Sequence, residues 1–435
     1  MIFRYIIGLF LFYMLVFSSC THEPEVLELS EGWAKTSVNT AIFRKNSVVS
    51  DEEYQYAAWY DSSGHVIVAK RLLGKKDWTI RQTPMRGSVY DAHNVISIMV
   101  DGDGYLHLAW DHHDGPLNYC RSKSPGAFEF TERLDMTDSL EDDGVTYPEF
   151  YRLPDGDLLF AYRHGASGKG NLVLNRYSTD EKRWKRVHKS LIDGEGERNA
   201  YWQMCVDNAG TIHLSWVWRE TWDVATNHDL CYARSYDGGE TWMSGTGEFL
   251  HIPITAATAG YALKIPQGSD LINQTSIYAD NGGRPFITSY WKPEGDSVPQ
   301  FFVVYLDDRE WKVSRVTNRQ MPFSLSGGGS RRIPVSRPQV LFSESNQTIH
   351  VIFRDRELNN RICVASARLN EQMNWKINTI PDIDVGQWEP TYDTELWKRE
   401  EKLHLFVQKV GQGAGNENPE DMPPQMVKLL MLNEF

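Results

Sequence analysis

The sequence predicts an all-β fold, specifically a seven-bladed β-propeller of four-stranded antiparallel blades. Three observations carry this. Six segments share one pattern, a polar turn followed by an alternating strand that ends in an aromatic residue or arginine: "SSGHVIVAKR" (62–71), "DGDGYLHLAW" (101–110), "PDGDLLFAYR" (154–163), "DNAGTIHLSW" (207–216), "DNGGRPFITSYW" (280–291) and "SNQTIHVIFR" (345–354). A degenerate seventh, "KREEKLHLFVQ" (398–408), closes the series. The composition also leans toward strands: 15 Trp and 20 Tyr stand in a chain that largely lacks helix-favouring runs of Ala, Leu, Glu and Lys.

Each element can be justified in chain order. Residues 1–20, "MIFRYIIGLFLFYMLVFSSC", have a basic start, an apolar run and small residues before a cysteine. This reads as a lipoprotein signal peptide with Cys20 as the lipidated residue, and so as a membrane anchor and an envelope location. Residues 21–32 read as an acidic tether and residues 33–435 as the propeller domain. "VNTAIFR" (38–44) is expected to complete the last blade and close the ring, because an open sheet edge is a liability. Each recurring turn is preceded by a short strand such as "VISIMV" or "YWQMCV" and followed by pieces such as "LNYCRS" and "NLVLNRYS", which makes four strands per unit. "SYDGGETW" (235–242) matches the Asp-box turn of sialidase-like propellers and speaks to folding more than to chemistry.

A net charge of −13 argues against nucleic acid as a partner. It leaves open an anionic polysaccharide, since a local basic cleft can sit on an acidic protein. Of the four cysteines after Cys20, Cys205 and Cys231 lie near His213 and His228 in sequence and could hold a zinc; the alternative is buried free thiols. "SGGGS" (326–330) has neither the lysine nor the following helix of a phosphate-binding loop.

Hairpin register locates the candidate site. The "DGDG" turn is centred between residues 102 and 103, so His93 faces His112 or His113 at the open end of that hairpin. A one-residue bulge decides between the two. The "PDGD" turn likewise sets Tyr147 against Arg163. Blades share one orientation, so His93, His113, Tyr147 and Arg163 are expected to converge on one face as catalytic residues. Asn94, His112, Asn199, Tyr201, Arg219, Arg337 and Arg354 are expected around them as substrate-binding residues. His107, His213 and His350 fall inside strands and read as packing residues.

This set fits β-elimination of a uronate. A cationic donor neutralises the carboxylate beside the C5 proton, a base removes that proton, and an acid protonates the departing O4. Glycoside hydrolysis usually needs two carboxylates at a defined separation, and no convincing pair stands at the open ends, although Asp91, Asp111 and Asp114 are near.

The runs "DAHN…DGDGYLHLAWDHH…PLNY", "TYPEF…LLFAYRHGASGKGN" and "GGGSRRIPVSRPQV" resemble the BNR-repeat family, from about residue 30 onward. That family includes ulvan lyases and related polysaccharide lyases. The resemblance implies a seven-bladed lyase acting on a rhamnose–uronate glycan, with His93 and Tyr147 in proton transfer and Arg163 and His113 on the uronate. It implies no cofactor for the chemistry, and a structural metal ion such as zinc or calcium. The family also includes an α-L-rhamnosidase that uses a histidine near the N-terminal strand; "FRKNSVVS" (43–50) contains none. A rhamnosidase and a non-catalytic glycan-binding propeller are the alternative readings.

Overall fold

The computed structural model describes residues 24–41, 46–137, 143–328, 331–370, 372–380, 383–413 and 418–432. Seven small antiparallel sheets form a ring, the seven-bladed propeller that the repeat predicts. Their inner strands run almost wholly buried, as in Ile96–Val100 and Asn199–Val206, because each blade is sandwiched between two neighbours. The outermost strands face water and alternate, as in Thr79–Arg86. Among the described residues no helix is long and apolar enough to cross a membrane. The signal segment 1–20 and Cys20 lie outside the described residues.

The second strands carry the repeat's internal lock. His107 lies between the Asp101 carboxylate (3.0 Å) and the Tyr119 hydroxyl (2.8 Å). Two blades later His213 repeats this with Asp207 (3.2 Å) and Tyr232 (2.7 Å). His350 bonds Ser366 at 2.7 Å. Buried imidazoles need such partners. The turns after the inner strands also pack on one another: a Cβ on Gly102 would lie 2.7 Å from the Cα of Gly156 in the next blade, so "DGDG" and "PDGD" must both place glycine there. The Asp-box closes the turn between the third and fourth strands of its blade; Asp237 accepts from the Thr241 amide (2.9 Å) and Trp242 is fully buried.

Two expectations about the chain's start are corrected. Glu25–Gly32 is not a tether. It pairs antiparallel with Gln425–Leu432 as the outer strand of the last blade, joining the chain's two ends as a ring closure. "VNTAIFR" does not do this; its residues 38–40 form a turn, and 42–44 lie outside the described residues. "SSGHVIVAKR" is also out of phase with its counterparts. In the first blade the inner strand is Val48–Ser50 and the second is Tyr54–Tyr60, so the equivalent of "DGDGYLHLAW" is "DEEYQYAAWY". Its "DEE" lacks the glycines that mark the turn elsewhere.

The blade of Ile96–Val100, Leu106–Trp110 and Tyr119–Arg121 departs from the repeat. Between its second and third strands the chain leaves the blade, and His113–Gly115 adds to the inner edge of the next blade, opposite Val145–Arg152. Asp111 and Asp114, at φ 64° and 59°, make the sharp bends of this detour.

Candidate active site

The open ends of the inner hairpins surround a cleft of about 720 Å³. Its lining includes His93, His113, Tyr147, Arg163, Tyr201 and Arg219. Register and detour together assemble these residues. His93 sits in the turn before Ile96–Val100. His113 arrives on the detour, opposite Thr146. Thr146, not Tyr147, pairs with Arg163, because Val145–Arg152 bulges between Thr146 and Glu149. Tyr147 lies in that bulge at φ 56°. A non-glycine residue held there costs about 1–3 kcal/mol, and such strain concentrates at functional sites. The bulge turns the phenol toward the histidines.

The His93 and His113 rings stack at 4.1 Å, and Tyr147 lies 5.8 Å from His93. One carboxylate joins the pair: Asp91 meets His93 Nδ1 at 2.6 Å and His113 Nδ1 at 2.5 Å, and also accepts from the His93 amide at 2.9 Å. Burial alone would push the Asp91 carboxyl up, but the two imidazole hydrogen bonds outweigh it and hold the group far below the usual carboxylate range. An ionised carboxylate only accepts, so both Nδ1 atoms carry a proton, and a neutral His93 is left with its lone pair on Nε2. Burial lowers the His93 pKa to about 4, against the opposing pull of Asp91. Burial, aided by the neighbouring Tyr201 phenol, pushes Tyr147 up, and Arg163, Arg219 and Arg337 offset this in part. For Tyr201 burial also pushes upward, but Arg219 and Arg163 outweigh it and the net shift is down.

The Arg163 guanidinium lies 5.0 Å over the Tyr147 ring and donates to the Gly165 carbonyl (3.0 Å). Arg219 packs over Tyr201 (5.5 Å) and donates to the Thr221 carbonyl (3.0 Å). Among the described residues, Arg163, Arg219 and Arg331 have no carboxylate partner, so the cleft is cationic on an acidic protein.

Several of the expected ligand-binding residues are engaged by the protein itself. His112 is buried and takes the Asn118 amide on Nε2 (2.8 Å); the alternation that brings His113 to the cleft turns His112 inward. Asn94 is buried and donates to the Ser88 carbonyl (3.0 Å). Asn199 is buried and holds the loop at Gly170 and Ala166. Arg354 reaches the cleft wall, but its guanidinium donates to the Trp388, Pro334 and Ile333 carbonyls, to Asn360 and to Gln387, which engages all five of its N–H groups. Arg337 lines the cleft as one half of a buried bidentate pair with Glu389 (2.8 and 2.7 Å).

The Cys205, His213, His228 and Cys231 set does not gather around a point, so these residues do not fit the structural metal. Register puts Cys205 and His213 on one face of their sheet and Cys231 and His228 on the other. His228 is instead held by Glu220 (2.8 Å) and Asp229 (3.1 Å). Among the described residues one trio, Asp91, His93 and His113, brings ligand-type atoms within 4.8 Å of one another. A divalent cation held through the two Nδ1 atoms would have to displace both of their protons.

Sequence reasoning noted Asp91 only as a neighbour and missed Glu389 and Trp222. Asp91 has a visible signal, the D-x-H spacing that lets its carboxylate cap the His93 amide. Glu389 lies two residues before its inner strand, as Arg337 does before its own, and His93 lies three before its own. Trp222 is 64% exposed at the cleft rim, in a loop that breaks the repeat.

A family model described as BNR repeat-containing family member matches residues 54–319. Among curated proteins, an ulvan lyase of Alteromonas sp. (strain LOR) is 22% identical over 232 residues, covering 46% of this chain and 47% of the relative. The short isoform of ulvan lyase from the same strain is 29% identical over 175 residues, 35% of this chain and 31% of the relative. The chain thus spans less than half the length of these relatives. Among solved structures, the polysaccharide lyase Uly1 is similar with a TM-score of 0.66 at 17% identity over 90% of each chain. A PL25 ulvan lyase bound to -[GlcA(1-4)Rha3S]- has a TM-score of 0.65 at 13% identity, covering 94% of this chain and 96% of that one. These two likenesses show a shared fold.

Proposed function

The chain belongs to the BNR repeat-containing family, and on that premise we propose that it is a polysaccharide lyase cleaving an ulvan-like rhamnose–uronate glycan by β-elimination. The observation that carries this reading is the Asp91-bridged histidine pair beside Tyr147 and an Arg163 with no carboxylate partner among the described residues. The curated ulvan lyases that match the chain support the substrate class.

Arg163 and His113 receive the uronate carboxylate, whose charge is delocalised as the C5 proton leaves. His93, kept neutral by burial, offers the Nε2 lone pair and takes that proton. The electron pair forms the C4–C5 double bond and the C4–O4 bond breaks. Tyr147, kept protonated by burial, gives its proton to O4, and the adjacent guanidinium stabilises the phenolate that results. The products are an unsaturated uronate end and a free hydroxyl, with no water consumed and no cofactor needed. The N-terminal segment ending in Cys20 supports an envelope location for this activity.

The test follows ultraviolet absorbance of the unsaturated uronate while the full chain is incubated with a panel of uronate polysaccharides that includes ulvan. A rise that Tyr147→Phe abolishes supports the reading. A flat trace with hydrolytic products such as free rhamnose overturns it.

A further inference from the structure

Beyond the reacting groups the cleft continues. Arg332, Ile333 and Gln387 line it and also line a second depression of about 600 Å³. Cavities of about 300–1,000 Å³ take whole small-molecule ligands, so this one has room for sugar beyond the cleaved linkage. Phe323, Pro334 and a 44%-exposed Met321 give it an apolar wall suited to the C–H faces of a pyranose.

Its charge comes from Arg356. That arginine opens the short 3-10 helix Arg356–Leu358, flanked by Asp355 and Glu357, yet neither carboxylate is available to it. Asp355 clamps the buried Arg319 (2.6 Å) and caps the Glu357 amide (2.9 Å). Glu357 takes the Met321 amide (2.8 Å) and Arg319 (3.1 Å). Arg356 is left exposed at the depression, with no ion pair among the described residues. Its base is rigid: its amide donates to the Pro334 carbonyl (2.8 Å), and Arg354 ties Pro334 and Asn360 together beneath it.

We infer that this depression is a distal subsite for an oxyanion-bearing sugar, a sulfate ester or a uronate, of the same polysaccharide chain, with Arg356 as its anion contact. A bidentate guanidinium contact suits either oxyanion. The inference rests on the lyase reading for the identity of the chain. A bound glycan then runs from the Asp91–Tyr147 end across the face to Arg356, which is the geometry of an enzyme that cuts within long chains.

The test measures equilibrium binding of the full-length protein to a sulfated rhamnose–uronate polymer, in a Tyr147→Phe background so that nothing turns over. Arg356→Gln is expected to weaken polymer binding about tenfold, Arg356→Glu more, with a short oligosaccharide bound as before. If desulfating the polymer removes the difference, the oxyanion is sulfate; if reducing its carboxyls does so, it is a uronate. Polymer binding unchanged by both Arg356 variants overturns the subsite. Elimination is followed separately in protein that keeps Tyr147. Arg356-dependent binding without elimination defeats the lyase reading alone, and elimination with Arg356-independent binding defeats the subsite alone.

Discussion

Replacing Asp91 with asparagine keeps the shape and removes the charge that joins the two histidines. In the parent, one ionised carboxylate accepts from both Nδ1 atoms at 2.6 and 2.5 Å. Asparagine offers a single acceptor oxygen, and its amide N–H₂ faces the other imidazole. That ring must turn its lone pair to Nδ1, which places its proton on Nε2, toward the cleft. One histidine therefore loses the tautomer the reaction uses. Two charge-assisted hydrogen bonds at about 1.5–3 kcal/mol each are at stake. Lost from the transition state, they lower kcat by about 10²–10⁴-fold. Asp91 acts through the histidines, so KM should change far less than kcat. The assay combines steady-state kinetics with ¹⁵N NMR of the imidazoles, where the variant should show one ring in the opposite tautomer. A folded variant with kcat within threefold of the parent and both tautomers retained would refute the reasoning.

Three other outcomes are expected. Trp222→Ala should raise KM about tenfold with kcat nearly constant, because this exposed ring at the rim can stack on sugar without touching the reacting atoms; an unchanged KM speaks against such a platform. Raising the salt concentration should raise KM for polymer, since the unpaired guanidiniums of the cleft attract a polyanion through a screened field; a salt-independent KM would mean the field plays no part. Thermal stability should fall on the acid side. Burial holds His93 and His350 at about 4 and His112 and His404 at about 3, below their ordinary 6.5. Below pH 6.5 the unfolded chain binds the protons that these folded imidazoles refuse, so each withdraws about 1.4 kcal/mol per pH unit until its folded value is reached. A Tm that stays level between pH 7 and pH 5 contradicts this.

What the sequence determined by itself was the ring and the face that carries the chemistry. Period-two alternation between evenly spaced polar turns leaves a chain few options other than small stacked sheets, and hairpin arithmetic is local, so the open ends holding His93, Arg163, Tyr201 and Arg219 could be found by counting. What counting could not supply were the places where the chain leaves the repeat. The choice between His112 and His113 depended on a three-residue detour that pairs with another blade. The aim of Tyr147 depended on a bulge. Closure of the ring by Glu25–Gly32 depended on a pairing between the chain's two ends. Sequence proximity wrongly grouped Cys205, His213, His228 and Cys231, because strand parity sends them to opposite faces. Arg354 could not be told from a substrate-binding arginine until all five of its N–H groups were found engaged on protein acceptors. Each of these is a non-local contact whose partners lie in other blades or loops, so only the assembled tertiary structure could decide them.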